Sequence, residues 1–138
     1  MTPMTRYVAA YTALLAVMVA LDLLWLGVIA KPLYQSGIGH LMAAQPKVGV
    51  AVLFYLVYAL GVLLFAVLPN AGAPWRQTLV SAALFGFFAY ATYDLTNLAT
   101  LREWPLLLSV IDITWGVVVS ATAALAGHWA LTWVTHRG

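Results

Sequence analysis

Four runs of roughly 21 to 26 mostly apolar residues, parted by connectors that carry prolines and cations, constrain this chain more than any motif in it. A helix rises about 1.5 Å per residue, so each run is long enough to cross a hydrocarbon layer about 30 Å thick. Together they leave no stretch for a soluble domain. The composition agrees, with 64% hydrophobic and only 7% charged residues in 138 and a mean hydropathy of +0.97, far from the balance of a water-soluble fold. The expected architecture is an all-α membrane protein. It is a four-transmembrane-helix bundle forming one transmembrane domain over residues 1–138, with spans at about 7–30, 47–68, 77–101 and 106–131. The first run is longer than the apolar region of a signal peptide and contains Asp22, so it is expected to be retained.

The boundaries follow from local chemistry. Lys31-Pro32 marks the end of the first span, where a cation can reach the interface and proline cannot continue the helix. Pro46 and Pro69 bracket the second, and Leu101-Arg-Glu-Trp-Pro105 is too short to be anything but a reversal between antiparallel spans. In the long connector, Leu33, Tyr34, Ile38, Leu41 and Met42 fall on one side of a helical wheel, which predicts a short interfacial helix between the first two spans. His40 sits on it, either as a solvated hydrogen-bonding residue or as part of a cover over the mouth of a site. His128, Trp133, His136 and Arg137 are expected at the opposite interface. Lys31, Lys47 and Arg102 balance Arg6, Arg76 and Arg137, so the distribution of cations does not decide the orientation.

Polar residues inside the spans locate the function. Asp22 lies roughly 13 Å along the axis from Lys31, Asp94 about 12 Å from Arg102, and Asp112 roughly 10 Å inside the fourth span. Chain reversals place all three at similar depth, level with Tyr55 and Tyr58. Each aspartate costs about 2.5 to 3.5 kcal/mol at the centre of a span, so the three are expected to face inward and converge. Trp25 shares a face with Asp22; Tyr90, Asp94 and Asn97 form one stripe; Trp115 follows Asp112 by three residues. Ala82 and Gly86 on the third span, and Gly116, Ser120 and Ala124 on the fourth, are small-residue surfaces for close helix packing. Asp22-Leu-Leu-Trp-Leu26 and Asp94-Leu-Thr-Asn-Leu98 echo one another, as a tandem pair of two-helix units would.

The expected binding residues are Asp22, Trp25, Tyr55, Tyr58, Tyr90, Asp94, Asn97, Asp112 and Trp115; no catalytic residue stands out. No Lys or Arg lies within any run, so some carboxyls hold protons or a cation sits among them. Such surroundings disfavour phosphates. An oxygen-only donor set suits Mg²⁺ or Ca²⁺ better than zinc or copper, but no metal motif and no cofactor is evident. The absence of cysteine excludes disulfides and thiolate chemistry. A formal charge of +2 is no nucleic-acid footprint.

Taken together, Asp22-Leu-Leu-Trp-Leu-Gly27, Gly39-His-Leu41, the run from Gly86 to Leu101, Trp104-Pro105 and Asp112-Ile-Thr-Trp-Gly116 resemble a bacterial membrane family, domain-of-unknown-function family 2177. The resemblance covers nearly the whole chain and implies a four-helix protein of the bacterial cytoplasmic (inner) membrane, with no activity or catalytic residue to carry over. Three functions compete. The first is a proton- or cation-coupled carrier or binding protein for a small molecule, similar in architecture but not in motif to the small multidrug exporters. The second is a membrane-embedded enzyme acting on a lipid or isoprenoid, and the third an assembly subunit whose aspartates glue helices together. The expected partners are the lipid bilayer, a small cation or lipid ligand and, for a transporter, a second copy in a homodimer.

Overall fold

The protein is described here by a computed structural model covering residues 2–137. Thr2 caps the first helix, its hydroxyl accepting from the Thr5 amide at 3.3 Å, and Pro3 occupies the first turn, where a missing N–H costs nothing. Helix α1 (Pro3–Leu24) therefore starts four residues before the expected boundary. It continues as a π-helical turn, Trp25–Ile29. Helix α2 (Lys31–Ile38) is the short connector helix, closed by a 3₁₀ turn over Gly39–Leu41. Helix α3 (Val48–Val62) runs into a second π turn, Leu63–Val67, and a 3₁₀ turn at Leu68–Asn70. Helices α4 (Trp75–Thr100) and α5 (Leu106–Arg137) complete the chain.

With their continuations, α1, α3, α4 and α5 are each long and apolar enough to cross a membrane, and no strand occurs among the described residues. The expected helical membrane fold holds. One boundary moves substantially: α5 extends to Arg137 rather than ending near Leu131, and His128 is buried rather than interfacial. The reason is packing. The every-fourth-residue stripe of Asp112, Gly116, Ser120 and Ala124 continues to His128, and no proline or unsatisfied turn interrupts it.

Helix α5 is the axis of the bundle, packed along α4 on one side and α1 on the other. Along the antiparallel α4–α5 seam, Thr78, Ala82, Gly86, Tyr90 and Asp94 meet His128, Ala124, Ser120, Gly116 and Asp112 in that order. The Thr78 hydroxyl bonds His128 Nδ1 at 2.9 Å, and Ala82 and Ala124 are fully buried. A Cβ on Gly86 would collide with the Gly116 carbonyl and the Ser120 side chain, while one on Gly116 would enter the Tyr90 ring. Lipid tails are as apolar as the helices, so this close approach, rather than exclusion of water, holds the pair together. Both small-residue surfaces are thus consumed within one protomer, and neither remains to receive a second copy.

Helix α3 is attached differently. Its π turn is buried against α4 and α5, and Tyr11 donates to the Leu56 carbonyl at 2.8 Å to fasten it to α1. Along Val48–Val62, however, it scarcely touches α4. Tyr58 still reaches Phe85 and Tyr90, with ring centroids 5.4 and 6.0 Å apart. Nearer the connector no such pair bridges the two helices among the described residues, and a gap opens between them.

Candidate functional site

The site begins where α1 loses its regular pitch. Ala30 bonds back to the Trp25 carbonyl at 2.7 Å, the five-residue spacing of a π turn, a distortion that recurs at functional sites. The Trp25 ring lies flat on Trp115 of α5, with centroids 4.5 Å apart and planes 6° from parallel. Each tryptophan then serves one carboxylate. Trp115 Nε1 donates to Asp22 Oδ1 at 2.8 Å, and the Tyr55 hydroxyl from α3 donates to Asp22 Oδ2 at 2.5 Å. Trp25 Nε1 donates to the Tyr34 hydroxyl at 3.3 Å, which donates onward to Asp112 Oδ1 at 2.5 Å. Asp22 therefore has a donor on each oxygen, so both of its acceptors are satisfied inside the bundle.

Asp94 stands in contrast. It is 0% exposed, and neither of its oxygens has a hydrogen-bond partner. The register of the α4–α5 seam, with Thr78 against His128 and Tyr90 against Gly116, sets Asp94 opposite Asp112. A lone ionised carboxylate in such a place costs several kcal/mol. Its only acidic neighbour is itself anchored to Tyr34.

A cavity of about 470 Å³ lies in front of this network, with Asp22, Asp112 and Trp115 in its wall. Tyr58, Tyr90 and Tyr93 line the flank, Phe54 stands at the gap between α3 and α4, and Trp104 and Tyr34 close the connector side. No Lys, Arg or His is among the lining residues. The volume falls in the range of small-ligand sites, about 300 to 1,000 Å³. Beside it α3 scarcely touches α4, and residues of both helices, Phe54 and Tyr58 on one and Ala89, Tyr90 and Tyr93 on the other, line the cavity.

Of the residues expected to bind, Asp22, Tyr58, Tyr90, Asp112 and Trp115 line the cavity, while Trp25 and Tyr55 support its wall through the stack and the bond to Asp22. Asp94 lies behind Asp112, outside the lining, and half-buried Asn97 does not reach it. Among the described residues no three His, Cys, Asp or Glu side chains gather as metal ligands would. Of the three aspartates expected to converge, Asp22 and Asp112 share the cavity wall and Asp94 is outside it.

Tyr34 is the residue that sequence reasoning missed. It lies on the connector's apolar side, of which Tyr34 and Ile38, one turn apart, line the cavity while Leu41 and Met42 stay exposed. A lone phenol on that face was the available signal. Burial, reinforced by the bond to Asp112, raises the pKa of this hydroxyl, so it remains a donor well into the alkaline range. The cover itself is fastened outside the cavity. His40 Nε2 lies 2.6 Å from Glu103 Oε2 in the α4–α5 turn, and a Cβ on Gly37 would sit 3.2 Å from Pro105, so glycine permits the close approach.

The sequence profile of a family described as a predicted membrane protein (DUF2177) matches residues 7–129. No curated protein and no solved structure matches the chain.

Proposed function

The chain belongs to the DUF2177 family of predicted membrane proteins, and from that premise and the geometry above we propose that it is a small carrier or binding protein for an organic cation. The observation that carries this reading is the composition of the cavity wall: two carboxylates framed by tryptophan and tyrosine, with no competing cation. Aromatic faces attract ammonium groups by about 0.5 to 2 kcal/mol each, and the carboxylates supply the counter-charge. The gap between α3 and α4 admits a ligand from the lipid phase. An amine head seated between Asp22 and Asp112, with its apolar tail lying between α3 and α4, satisfies both features.

The proposed location is the bacterial cytoplasmic membrane, with the bilayer as partner. Carriage across the membrane, as opposed to binding, calls for a homodimer, because one protomer of four spans is too small to enclose a path. Crosslinking in lipid tests that step: a species of twice the mass supports carriage, and monomer alone restricts the protein to binding.

The direct test uses protein in lipid nanodiscs, titrated with decyltrimethylammonium and with decyl sulfate, which share a chain and differ in the sign of the head. Saturable quenching of tryptophan fluorescence by the first and not the second is the expected result. Equal responses to both would overturn the reading.

The gap between α3 and α4 also favours a second reading, an enzyme acting on a lipid or isoprenoid with Asp112 as acid or base. An untargeted comparison of lipids in cells with and without the protein separates the two. A missing lipid product supports the enzyme, and an unchanged lipid profile supports the cation site.

A further inference from the structure

We propose that a second cavity, at the opposite end of the bundle, binds the headgroup of one anionic phospholipid, and that the Arg6 guanidinium holds its phosphate. The ligand is a phosphodiester of single negative charge with a hydroxylated head. This site is separate from the aspartate cavity, and it stands or falls independently of the cation-binding reading.

The ends of all four spans define the level of this cavity. Helix α1 begins at Pro3, α5 ends at Arg137, the 3₁₀ turn Leu68–Asn70 follows α3, and α4 begins at Trp75. Two arginines here lie over tryptophan rings, Arg76 over Trp75 at 5.5 Å and Arg137 over Trp133 at 4.6 Å. Such pairs suit the headgroup layer of a bilayer, where a ring can be half wet and a cation meets phosphate. The cavity, about 440 Å³, lies between the first turns of α1 and the last turns of α5. That is room for a small ligand.

Arg6 stands in its wall, half-buried and without a carboxylate. All four acidic residues of the chain fall in the connector-side half, and the one acid–base contact among the described residues is His40 with Glu103. The guanidinium reaches Thr135 Oγ1 at 3.5 Å, the outer limit of a hydrogen bond, so most of its five N–H groups are left for a ligand. Thr135 itself donates to the Leu131 carbonyl at 2.7 Å. Its oxygen is therefore an acceptor that holds Arg6 at the wall. Tyr7 adds a phenol hydroxyl, and His136 adds at least one ring N–H in either protonation state.

Charge and polarity select the ligand. One guanidinium balances one phosphodiester, in the bidentate geometry that arginine and phosphate share. A zwitterionic head would bring an ammonium group to a wall that carries Arg6 and, among the described residues, no acid. A hydroxylated head instead offers groups that Tyr7 and Thr132 can meet. Leu68 and Leu131 make part of the same wall. Free phosphate has no carbon to place against them, whereas the glycerol and first methylenes of a lipid do.

The test uses the full chain in dodecyl maltoside and the fluorescence anisotropy of phosphatidylglycerol labelled with nitrobenzoxadiazole on one acyl chain. Saturable binding of one lipid per chain is expected. Unlabelled phosphatidylglycerol should displace the probe about tenfold better than phosphatidylcholine of the same chains, and millimolar inorganic phosphate should not displace it. Arg6→Gln should weaken binding about tenfold, and Arg6→Lys, which keeps the charge but loses the fork, by less. Arg137→Gln removes a cation outside the cavity and, at physiological salt, should change binding by at most about twofold.

Displacement by inorganic phosphate would make this a site for a free anion and overturn the lipid assignment. Equal displacement by phosphatidylcholine would overturn the charge match. Equal losses from Arg6→Gln and Arg137→Gln would mean that the lipid follows the basic character of the whole end rather than this cavity, and the site would fall. The two competition arms are read on the wild-type protein, so they decide the matter even if Arg6→Gln fails to fold.

Discussion

The bundle holds a cavity at each end, and the two are nearly equal in size and opposite in character. The connector-side cavity, about 470 Å³, has Asp22 and Asp112 among aromatic rings; the terminus-side one, about 440 Å³, is lined by Arg6, His136, Thr132 and Thr135 beside Leu68 and Gly72. All four acidic residues of the chain, Asp22, Asp94, Glu103 and Asp112, fall in the connector-side half. The half between the cavities also differs in packing. Toward the termini the α4–α5 seam closes on alanine and glycine, and the π turn of α3 is buried, whereas toward the connector α3 departs and the seam ends in two carboxyls. One half is scaffold. The other is where polar groups, space and access coincide.

The sharpest way to break that contrast is to disturb the scaffold. Gly116→Leu drives a side chain into the Tyr90 ring and should cost about 3 kcal/mol or more, seen as loss of a monodisperse peak in size-exclusion chromatography. A variant that remains monodisperse and as resistant to heat as wild type would show that the seam is looser than its contacts imply.

Within the site, Asp112→Asn should weaken decyltrimethylammonium binding by about 2 kcal/mol, roughly 30-fold in Kd, without changing the yield of folded protein. Arg6→Gln, in the other cavity, should leave the same Kd unchanged. Equal losses from both substitutions would erase the distinction between the two ends. Trp115→Phe keeps a ring against Trp25 but removes the donor to Asp22, and its expected effect is smaller, about 1 kcal/mol or fivefold in Kd.

Thr78→Val tests the scaffold half gently. It leaves His128 Nδ1 without its hydroxyl partner, and hydrogen bonds between membrane helices average about 0.6 kcal/mol, so a slight fall in thermal midpoint and no change in binding are expected. Smallest of all should be Glu103→Gln at the exposed His40 contact, within about 0.5 kcal/mol for a solvated pair. A large loss of binding in that variant would mean that α2 is a gate held by this contact rather than a fixed cover.

Several elements are legible in the amino-acid sequence. Length and hydropathy determine four crossings, because a bilayer sets the number of apolar residues a span needs. The cost of charge in hydrocarbon turns Asp22, Asp94 and Asp112 inward, and the four-residue recurrence of small side chains marks the faces of α4 and α5 that meet. The family could also be recognised from the residues themselves, as the match over residues 7–129 shows. Helical arithmetic assigns the acids a similar distance along their spans.

It could not say how they differ. Asp22 and Asp94 occupy stretches that echo one another in sequence, yet one has a donor on each oxygen and the other has none. That difference comes from what lies opposite: a tyrosine of α3 and a tryptophan of α5 in the first case, a second carboxyl in the other. The inward turn of Tyr34, the burial of His128 and the parting of α3 from α4 have the same origin. Depth and amphipathic face are properties of a helix and its solvent, so the sequence alone determines them. Partners are properties of two helices at once, and only the tertiary packing, with its register along the α4–α5 seam and its two π turns, decided which residues became the site.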